Sequence, residues 1–349
     1  MARWPPERRL PAEPPTPTPA QLDATLAATA WYLRLYHDTP DDPGVARMFC
    51  DPERVGAFAV RPEALAAGEP RALFRLLVAT TMFQRRADLQ IERVLRGISA
   101  QDADALTDPD ALLAAADANP CPRARSLAAL LTECDLTKDP QTALGTCAAS
   151  PGAPCDLKRH TVLLKRYGHF GKVPTSLALT LREHGVADLA ALRQRALEEA
   201  TDPADAAARL ESMLRRSWRV SDKIAAMALS MLTNPDLSPG LAPWSEGLDW
   251  SGYVVIDSNV DLFLRRVQFA GPWTYAARRA FILSLAARID LSALKPGLRP
   301  YNPRLVQQAM YLSQSALNRK ARPRDCAHEE PSPCGVCDLD RAGICSLRH

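Results

Sequence analysis

The sequence predicts an all-α fold, and three observations support this prediction. Alanine and leucine are abundant, whereas the 349 residues include only 16 glycines and 8 phenylalanines, a balance that favours helix over strand. Apolar residues recur at helical spacing in most segments. No series of segments in the sequence shows the alternation of apolar and polar residues that is typical of strands. The length of 349 residues is enough for two modest domains or one large one, and a hydrophobic fraction of 47% provides ample material for a core.

The first half of the chain starts with a proline-rich segment and continues with helices. Seven prolines fall within the first 20 residues, so residues 1–19 are expected to form a flexible tail. Residues 20–36 have helical apolar spacing, and a second helix is predicted over residues 71–98, with a break near Gln84. Alanine-rich residues 104–150 contain Asp-Pro and Asn-Pro breaks, which predict short helices and turns before a loop at 150–160.

The second half of the chain is predicted to be a series of helices interrupted by one long loop. This loop covers residues 234–252 and contains three prolines together with Trp244 and Trp250. A short apolar run at residues 253–256 leads into Asp257, which has the residue type of a helix N-cap. Helices are predicted at about residues 158–168, 175–184, 186–200, 203–216, 223–232, 258–267, 273–289 and 303–318.

Charge and hydropathy limit the classes of partner. The N-terminus has no apolar signal-peptide core, and no stretch approaches the roughly 18 apolar residues of a membrane span. We therefore expect a cytoplasmic protein without a membrane partner. A net charge of +3 does not by itself indicate a polyanionic partner, but the basic residues cluster in pairs and triplets. These clusters are Arg85-Arg86, Lys158-Arg159-His160, Lys165-Arg166, Arg215-Arg216, Arg265-Arg266 and Arg278-Arg279.

Four of the nine cysteines lie within 20 residues of one another near the C-terminus, at Cys326-x7-Cys334-x2-Cys337-x7-Cys345. In a reducing compartment, clustered cysteines more often hold metal than form disulfides. A single Cys-x2-Cys unit with one cysteine on either side fits a [4Fe–4S] cluster better than a zinc ribbon, which pairs two such units. Zinc, or no metal, remains the alternative.

The other five cysteines carry a weaker pattern. Cys147 and Cys155 share the seven-residue gap of the C-terminal set, so a second metal site is one interpretation. The interpretation that we favour is that the five are unlinked small apolar side chains. The remaining members are Cys50, Cys121 and Cys134.

Two further motifs, followed by the four cysteines, resemble the helix–hairpin–helix DNA glycosylases of the endonuclease III type. Val220-Ser-Asp-Lys223-Ile-Ala-Ala is similar to the family's hairpin and the Lys-Thr-Ala that follows it. Val255-Ile-Asp257-Ser-Asn-Val260 is similar to its Val-Asp-Thr-His/Asn-Val segment. The resemblance covers about residues 71–345. It implies that Lys223 is the catalytic amine, that Asp257 is the catalytic carboxylate and that the four cysteines hold a [4Fe–4S] cluster.

The same resemblance implies a set of DNA-binding residues. Residues 74–84 are similar to the family helix whose glutamine enters the gap left by a flipped base, and residues 167–174 to the Gly-x-Val-Pro turn before the hairpin domain. The residues expected to contact double-stranded DNA are Gln84, Arg85, Arg219, Ser221 and Asn259.

The chemistry of base excision requires these residue types. Breaking an N-glycosidic bond builds positive charge on the sugar, and a carboxylate beside C1′ stabilises that charge or activates a nucleophile. An amine that attacks C1′ forms a Schiff base and permits elimination of the 3′ phosphate. Such an amine must be partly neutral, which suits Lys223 at the start of an otherwise apolar helix. A surface lysine and a simple helix cap are the alternatives for Lys223 and Asp257.

The chain departs from the family pattern in its hairpin and its loops. The family hairpin reads Leu-Pro-Gly-Val-Gly, whereas residues 217–221 contain no glycine, so the side chains of Arg219 or Ser221 are expected to replace amide contacts to phosphate. Trp244 and Trp250 either stack on a base or pack the loop onto the core. Residues 327–333 between the first two cluster cysteines are not basic, so the basic run 319–324 is the candidate for that DNA contact.

We therefore predict two helical domains in a monomer and a function in DNA repair, which would associate the protein with the nucleoid if the source is bacterial. Residues 68–232 would form a helical barrel with a degenerate helix–hairpin–helix motif. Residues 20–67 would contribute a helix to the cluster domain, which residues 233–349 would complete. The expected activity is excision of a damaged, modified or mispaired base with lyase activity, the cluster being structural or redox-tuning. The alternatives are a glycosylase without lyase activity, a non-catalytic DNA-binding protein and an iron–sulfur redox regulator.

Overall fold

A computed structural model describes most of the chain, and within the described ranges the protein is mostly helical, as predicted. The β structure in these ranges is one antiparallel pair of two-residue strands. Residues whose positions are described are 15–39, 44–84, 87–134, 136–138, 145–147, 155, 157, 171–315, 318–319 and 337–345. The predicted tail up to residue 14 and the predicted helix at 158–168 lie outside them.

The first half of the described chain consists of eight α-helices and the strand pair. Their bounds are α1 Pro19–Leu35, α2 Pro52–Val55, α3 Pro62–Ala66, α4 Pro70–Thr81, α5 Asp88–Arg96, α6 Ala100–Thr107, α7 Pro109–Ala118, α8 Leu127–Thr132, β1 Thr137–Lys138 and β2 Gly145–Thr146. Short 3₁₀ helices cover Val45–Phe49, Gly56–Phe58 and Pro122–Ala124.

The second half of the described chain contains nine α-helices. Their bounds are α9 Lys172–Glu183, α10 Leu189–Glu198, α11 Pro203–Leu214, α12 Asp222–Thr233, α13 Ser258–Arg266, α14 Tyr275–Ala286, α15 Leu291–Leu294, α16 Pro303–Gln314 and α17 Asp338–Arg341. A 3₁₀ turn at Trp250–Gly252 precedes α13. Among the described helices, none has the combination of length and apolar character that crossing a bilayer requires.

The chain divides into two compact units. The central unit is Val45–Trp250, and the terminal unit combines Met1–Gly44 with Ser251–His349. The predicted domain boundaries lie between residues 67 and 68 and between residues 232 and 233. Along the chain, the observed boundaries lie between residues 44 and 45 and between residues 250 and 251. Residues 45–67, which were expected to accompany the N-terminal helix, and most of the 234–252 loop therefore belong to the central unit.

Helix α4 forms the core of the central unit. Leucine, phenylalanine and valine side chains occur around most of its circumference, and they are buried against α6, α9, α10 and α12. Because a helix that is apolar on several faces is stable only when surrounded, α4 is enclosed by its neighbours. Residues Phe83 and Gln84 follow directly after this rigid element, and the break predicted near Gln84 is confirmed by the gap between α4 and α5.

The terminal unit joins the two ends of the chain. Helix α1 packs along α16, and α16 also packs against α13 and α14. A capping box between Thr18 and Gln21 starts α1, and the Gln21 side-chain amide donates to the Val267 carbonyl at 2.9 Å, just beyond α13. The predicted N-terminal helix is thus fixed at its first turn to the helix that follows Asp257.

Replacing Trp31 should test whether α1 is part of the terminal core. Trp31 is 1% exposed, whereas Leu26 of the same helix is 41% exposed. We expect Trp31→Ala to lower the free energy of unfolding by about 3–5 kcal/mol through loss of buried apolar contacts. Leu26→Ala, the matched control, should change it by no more than about 0.5 kcal/mol. Urea denaturation followed by circular dichroism measures both; equal effects would contradict the assigned packing of α1.

Candidate functional site

The turn between α11 and α12 adopts a backbone conformation that normally belongs to glycine. We call residues 215–221 the hairpin turn. Within it, Arg219 has φ of +64°, one of three non-glycine residues with positive φ in the described chain. Arg219 stands where the family's Leu-Pro-Gly-Val-Gly motif has its first glycine. The left-handed turn that glycine would permit is therefore present here without glycine.

Side chains of α9 hold the hairpin turn in place. The Trp218 amide donates to the Ser176 hydroxyl oxygen at 2.8 Å, and the hydroxyls of Ser217 and Thr180 are 2.8 Å apart. Ser176 and Thr180 are buried and lie one helical turn apart, so both face the hairpin turn. These neutral hydrogen bonds fix backbone that would otherwise prefer a less strained conformation.

Lys172 contacts the hairpin turn through the ring of Trp218. Its side chain is 0% exposed, its ammonium donates to the Cys134 carbonyl at 2.8 Å, and the same nitrogen lies 3.7 Å from the centre of the Trp218 ring. A buried cation requires such compensation by a carbonyl dipole and an aromatic face. The sequence did not single out Lys172, because it falls in the turn predicted over residues 167–174. In the structure, residues 172–174 instead form the first turn of α9.

The central unit brings three of the predicted residues together. The Gln84 side-chain amide donates to the Arg219 carbonyl at 3.1 Å and to the Thr81 carbonyl at 2.7 Å. The Lys223 ammonium donates to the Phe83 carbonyl at 3.0 Å and is half-buried. The segment that follows α4 is therefore hydrogen-bonded both to the hairpin turn and to the first turn of α12. Arg85 lies outside the described residues.

The start of α12 combines an exposed serine with a neutralised carboxylate. Ser221 is the N-cap and is exposed, but its side chain makes no capping hydrogen bond. Asp222 pairs with Arg215 at 2.9 Å across the hairpin turn. Because Arg215 compensates the Asp222 charge, this helix N-terminus does not present an uncompensated carboxylate to an approaching phosphate.

Asp257 is the N-cap of α13 in the terminal unit, as its sequence position predicted. One carboxylate oxygen accepts from the amides of Asn259 and Val260, at 3.0 and 2.9 Å. Asp257 and Asn259 are both half-buried at the start of the helix. Two amide donors and the positive end of a helix stabilise the ionised carboxylate and fix its orientation. The cap and the proposed catalytic role use the same geometry, so the cap does not decide between them.

We find no match to this chain among protein-family models, curated proteins or solved structures. The resemblance to the helix–hairpin–helix glycosylases therefore stays a prediction from sequence motifs, among whose residues are Gln84, Arg219, Lys223 and Asp257. Each of these residues lies on or beside a helix end that buried packing fixes.

Two cysteines of the predicted metal centre lie in the described segment 337–345. Cys337 is the half-buried N-cap residue of α17, and Cys345 is 3% exposed. The Cys345 carbonyl accepts from Arg266 at 3.0 Å, and the neighbouring Ile344 carbonyl accepts from Gln314 at 2.9 Å. This segment is thus attached to the ends of α13 and α16, and its thiols are the donor type that iron–sulfur clusters require. Cys326 and Cys334 lie outside the described residues.

Three of the five remaining cysteines pack against apolar side chains in the central unit. Cys134, Cys147 and Cys155 contact one hydrophobic cluster that includes Leu130 and Leu157. Burial raises the pKa of Cys134 above its ordinary value. Over the residues with described positions, no three histidine, cysteine, aspartate or glutamate side chains form a group that could hold a metal ion.

The structure bears on three sets of residues that the sequence offered as candidate nucleic-acid contacts. Trp244 is 4% exposed, so of the two alternatives its indole packs the loop onto the core instead of stacking on a base. Arg319, the first residue of the basic run 319–324, is 0% exposed and lies over the Trp31 ring at 5.0 Å. Several clustered arginines form ion pairs within their own unit: Arg215 with Asp222, Arg216 with Glu183, and Arg278 with Asp261.

The strain at Arg219 can be measured with two substitutions. Arg219→Gly and Arg219→Ala both remove the guanidinium and keep the carbonyl that accepts from Gln84. Only glycine relieves the strain of the left-handed backbone. We therefore expect the free energy of unfolding of Arg219→Gly to exceed that of Arg219→Ala by about 1 kcal/mol. Thermal and urea denaturation check this difference.

The same pair separates strain from DNA contact. Both variants should bind a duplex oligonucleotide more weakly than wild type, and equally so, in fluorescence anisotropy titrations at one salt concentration. Equal stability of the two variants would contradict backbone strain at Arg219. Wild-type affinity in both would contradict a phosphate contact by its side chain.

Proposed function

We propose that this protein is a DNA glycosylase that excises a damaged, modified or mispaired base from double-stranded DNA. The observation that carries the proposal is the glycine-like turn at Arg219, which supports a working hairpin despite the absence of glycine. A hairpin of this kind exposes backbone amides and, here, an arginine to a DNA phosphate. Gln84 is hydrogen-bonded to that turn, next to the helix on which Lys223 lies.

Asp257 is the group that we propose to assist base release. When the C1′–N bond breaks, the base leaves with the bonding electrons and positive charge develops on the sugar. A carboxylate that two amides already orient needs little reorganisation to stabilise this charge. Flipping the nucleotide out of the stack would bring its sugar to the enzyme, and Gln84 would fill the space left behind.

Lys223 is the proposed nucleophile of a subsequent lyase step. A neutral amine would add to the C1′ aldehyde of the abasic sugar and release water, giving a Schiff base. Loss of a C2′ proton then expels the 3′ phosphate by β-elimination. The hydrogen bond from Lys223 to the Phe83 carbonyl favours a second candidate, because a lysine held in this way beside the hairpin turn can contact a phosphate without reacting at C1′. In that case the protein is a glycosylase without lyase activity, and Lys223 binds phosphate.

A panel of duplex oligonucleotides tests the activity. Each duplex carries one oxidised pyrimidine, oxidised purine, alkylated purine, uracil or mispaired adenine, and abasic-site formation is scored after alkaline cleavage. We expect wild type to release at least one of these bases, and Asp257→Asn to slow that release about 10²- to 10³-fold. Release by neither protein would favour a non-catalytic DNA-binding protein, and equal release by both would remove Asp257 from the mechanism.

Borohydride trapping decides between the two glycosylase candidates. If Lys223 forms a Schiff base, wild type becomes covalently attached to abasic DNA on reduction, and Lys223→Gln does not. The matched control is Lys295→Gln, a lysine of the terminal unit whose ammonium donates to the His37 carbonyl at 2.6 Å. The absence of an adduct, or an adduct that survives in Lys223→Gln, would leave a glycosylase without lyase activity at Lys223.

We further propose that Cys326, Cys334, Cys337 and Cys345 hold a structural or redox-tuning [4Fe–4S] cluster. Cys345→Ser should reduce the amount of bound iron and the absorbance at about 400 nm, because one thiolate ligand is lost. Cys50→Ser is the control, since burial raises the pKa of the Cys50 thiol to about 11 and keeps it neutral. Iron analysis and absorbance of the purified proteins measure this. Zinc in place of iron, or equal iron in both variants, would contradict the assignment.

A further inference from the structure

The backbone that leads into Asp257 is held by side chains of two helices. Residues 253–256 are buried and lie outside regular secondary structure. The Tyr275 hydroxyl donates to the Val254 carbonyl at 2.7 Å, and the Val255 amide donates to the Gln307 side-chain oxygen at 3.3 Å. The position of the Asp257 carboxylate therefore depends on how firmly α14 and α16 hold these two peptide groups.

Gln307 is itself oriented by a buried arginine. Arg304 is 3% exposed, and one of its terminal nitrogens donates to the side-chain oxygens of Gln307 and Gln308, at 2.6 and 2.8 Å. The Gln307 oxygen therefore accepts from both Arg304 and the Val255 amide. One chain of hydrogen bonds thus connects the guanidinium to the segment that precedes Asp257.

The charge of Arg304 also acts on Asp257. Burial lowers the pKa of Arg304 to about 10, so the guanidinium remains charged at neutral pH. The ionisable groups whose charges act on it are Tyr32 of α1, Tyr275 of α14, Tyr311 of α16, and Asp257. Tyrosine hydroxyls are neutral at this pH, whereas an aspartate is ionised. A buried cation is costly unless it is compensated, and the Asp257 carboxylate supplies a negative charge.

We propose that Arg304 is a positioning residue for Asp257. Its hydrogen bond to Gln307 fixes the backbone that precedes Asp257, and this backbone sets the position of the carboxylate. Arg304 is enclosed within the terminal unit, so it acts through Asp257 and does not touch DNA. This role rests on the proposed glycosylase function and deepens it, because it assigns a third residue to the reaction.

The role can be tested by separating the rate of base release from DNA binding. The probe is the duplex of the lesion panel from which wild type releases a base, and single-turnover rates and dissociation constants are measured on it. We expect Arg304→Gln to lower the release rate about 100-fold, as misplacement of a reacting group does. The dissociation constant should change by no more than about threefold, because the lost interaction is needed in the transition state. Arg304→Lys, which keeps the charge, should recover most of the rate.

Two neighbouring glutamines provide a matched pair that leaves the buried charge in place. Gln307→Leu removes the link to Val255 and should lower the rate about tenfold. Gln308→Leu removes a hydrogen bond to the same guanidinium nitrogen, without a link to Val255, and should leave the rate within about twofold of wild type. Circular dichroism reports whether each variant folds, and this pair tests the role of Arg304 if the Arg304→Gln variant does not fold.

The outcomes separate the role of Arg304 from the function itself. If wild type releases no base from any duplex, the glycosylase proposal fails and this role fails with it. If wild type is active and Asp257→Asn is slow, two results overturn the role of Arg304 alone. The first is a folded Arg304→Gln variant that releases the base as fast as wild type, or no more slowly than Arg304→Lys. The second is equal rates of base release for Gln307→Leu and Gln308→Leu.

Discussion

The left-handed backbone at Arg219 is the constraint on which the candidate DNA-binding surface of the central unit depends. A residue with a Cβ atom adopts this conformation at a cost of about 1–2 kcal/mol, so the turn persists only because other groups hold it. The hydroxyls of Ser176 and Thr180, the buried ammonium of Lys172 and the amide of Gln84 all serve that purpose. As a result, the end of α4, the first half of α9 and the start of α12 form one rigid arrangement around the hairpin turn.

The terminal unit holds a carboxylate in a fixed position at the start of a helix. Asp257 receives two amide hydrogen bonds from α13, and the segment before it is held by Tyr275 and Gln307. The burial of Arg304 makes sense in this context, since a buried cation and an ionised carboxylate reduce one another's electrostatic cost. In both units, polar contacts from neighbouring helices thus hold a strained or charged group in place.

Much of the fold follows from local signals, whereas the support of the site does not. Apolar periodicity predicts α1, α4, α12 and α16 within a few residues, and the residue type of Asp257 predicts its N-cap. The short helices α2, α3 and α15 were not predicted, because one helical turn carries too little periodicity to be recognised. Lys172 and Arg304 were missed for another reason. Their importance comes from burial, and a sequence normally signals burial by apolar residues.

The hairpin turn illustrates both the strength and the limit of motif reasoning. The absence of glycine from residues 217–221 made the turn questionable, since motif comparison treats glycine as the requirement. Physically, the requirement is a backbone angle, and Arg219 meets it with help from contacts more than 30 residues away in sequence. Trp244 shows the reverse case, because a tryptophan in a long loop suggested two roles and only its burial decided between them.

The discontinuity of the terminal unit has a consequence for biosynthesis. Helix α1 leaves the ribosome first, yet its partner α16 is made only after the whole central unit has been translated. The central unit can therefore fold while α1 still lacks the surface that buries Trp31. The backbone around Asp257 is completed only when α16 emerges, and the attachment of residues 337–345 to α13 and α16 follows last. A truncated chain that ends before α16 would retain Lys223 and the hairpin turn but lack the framework that orients Asp257.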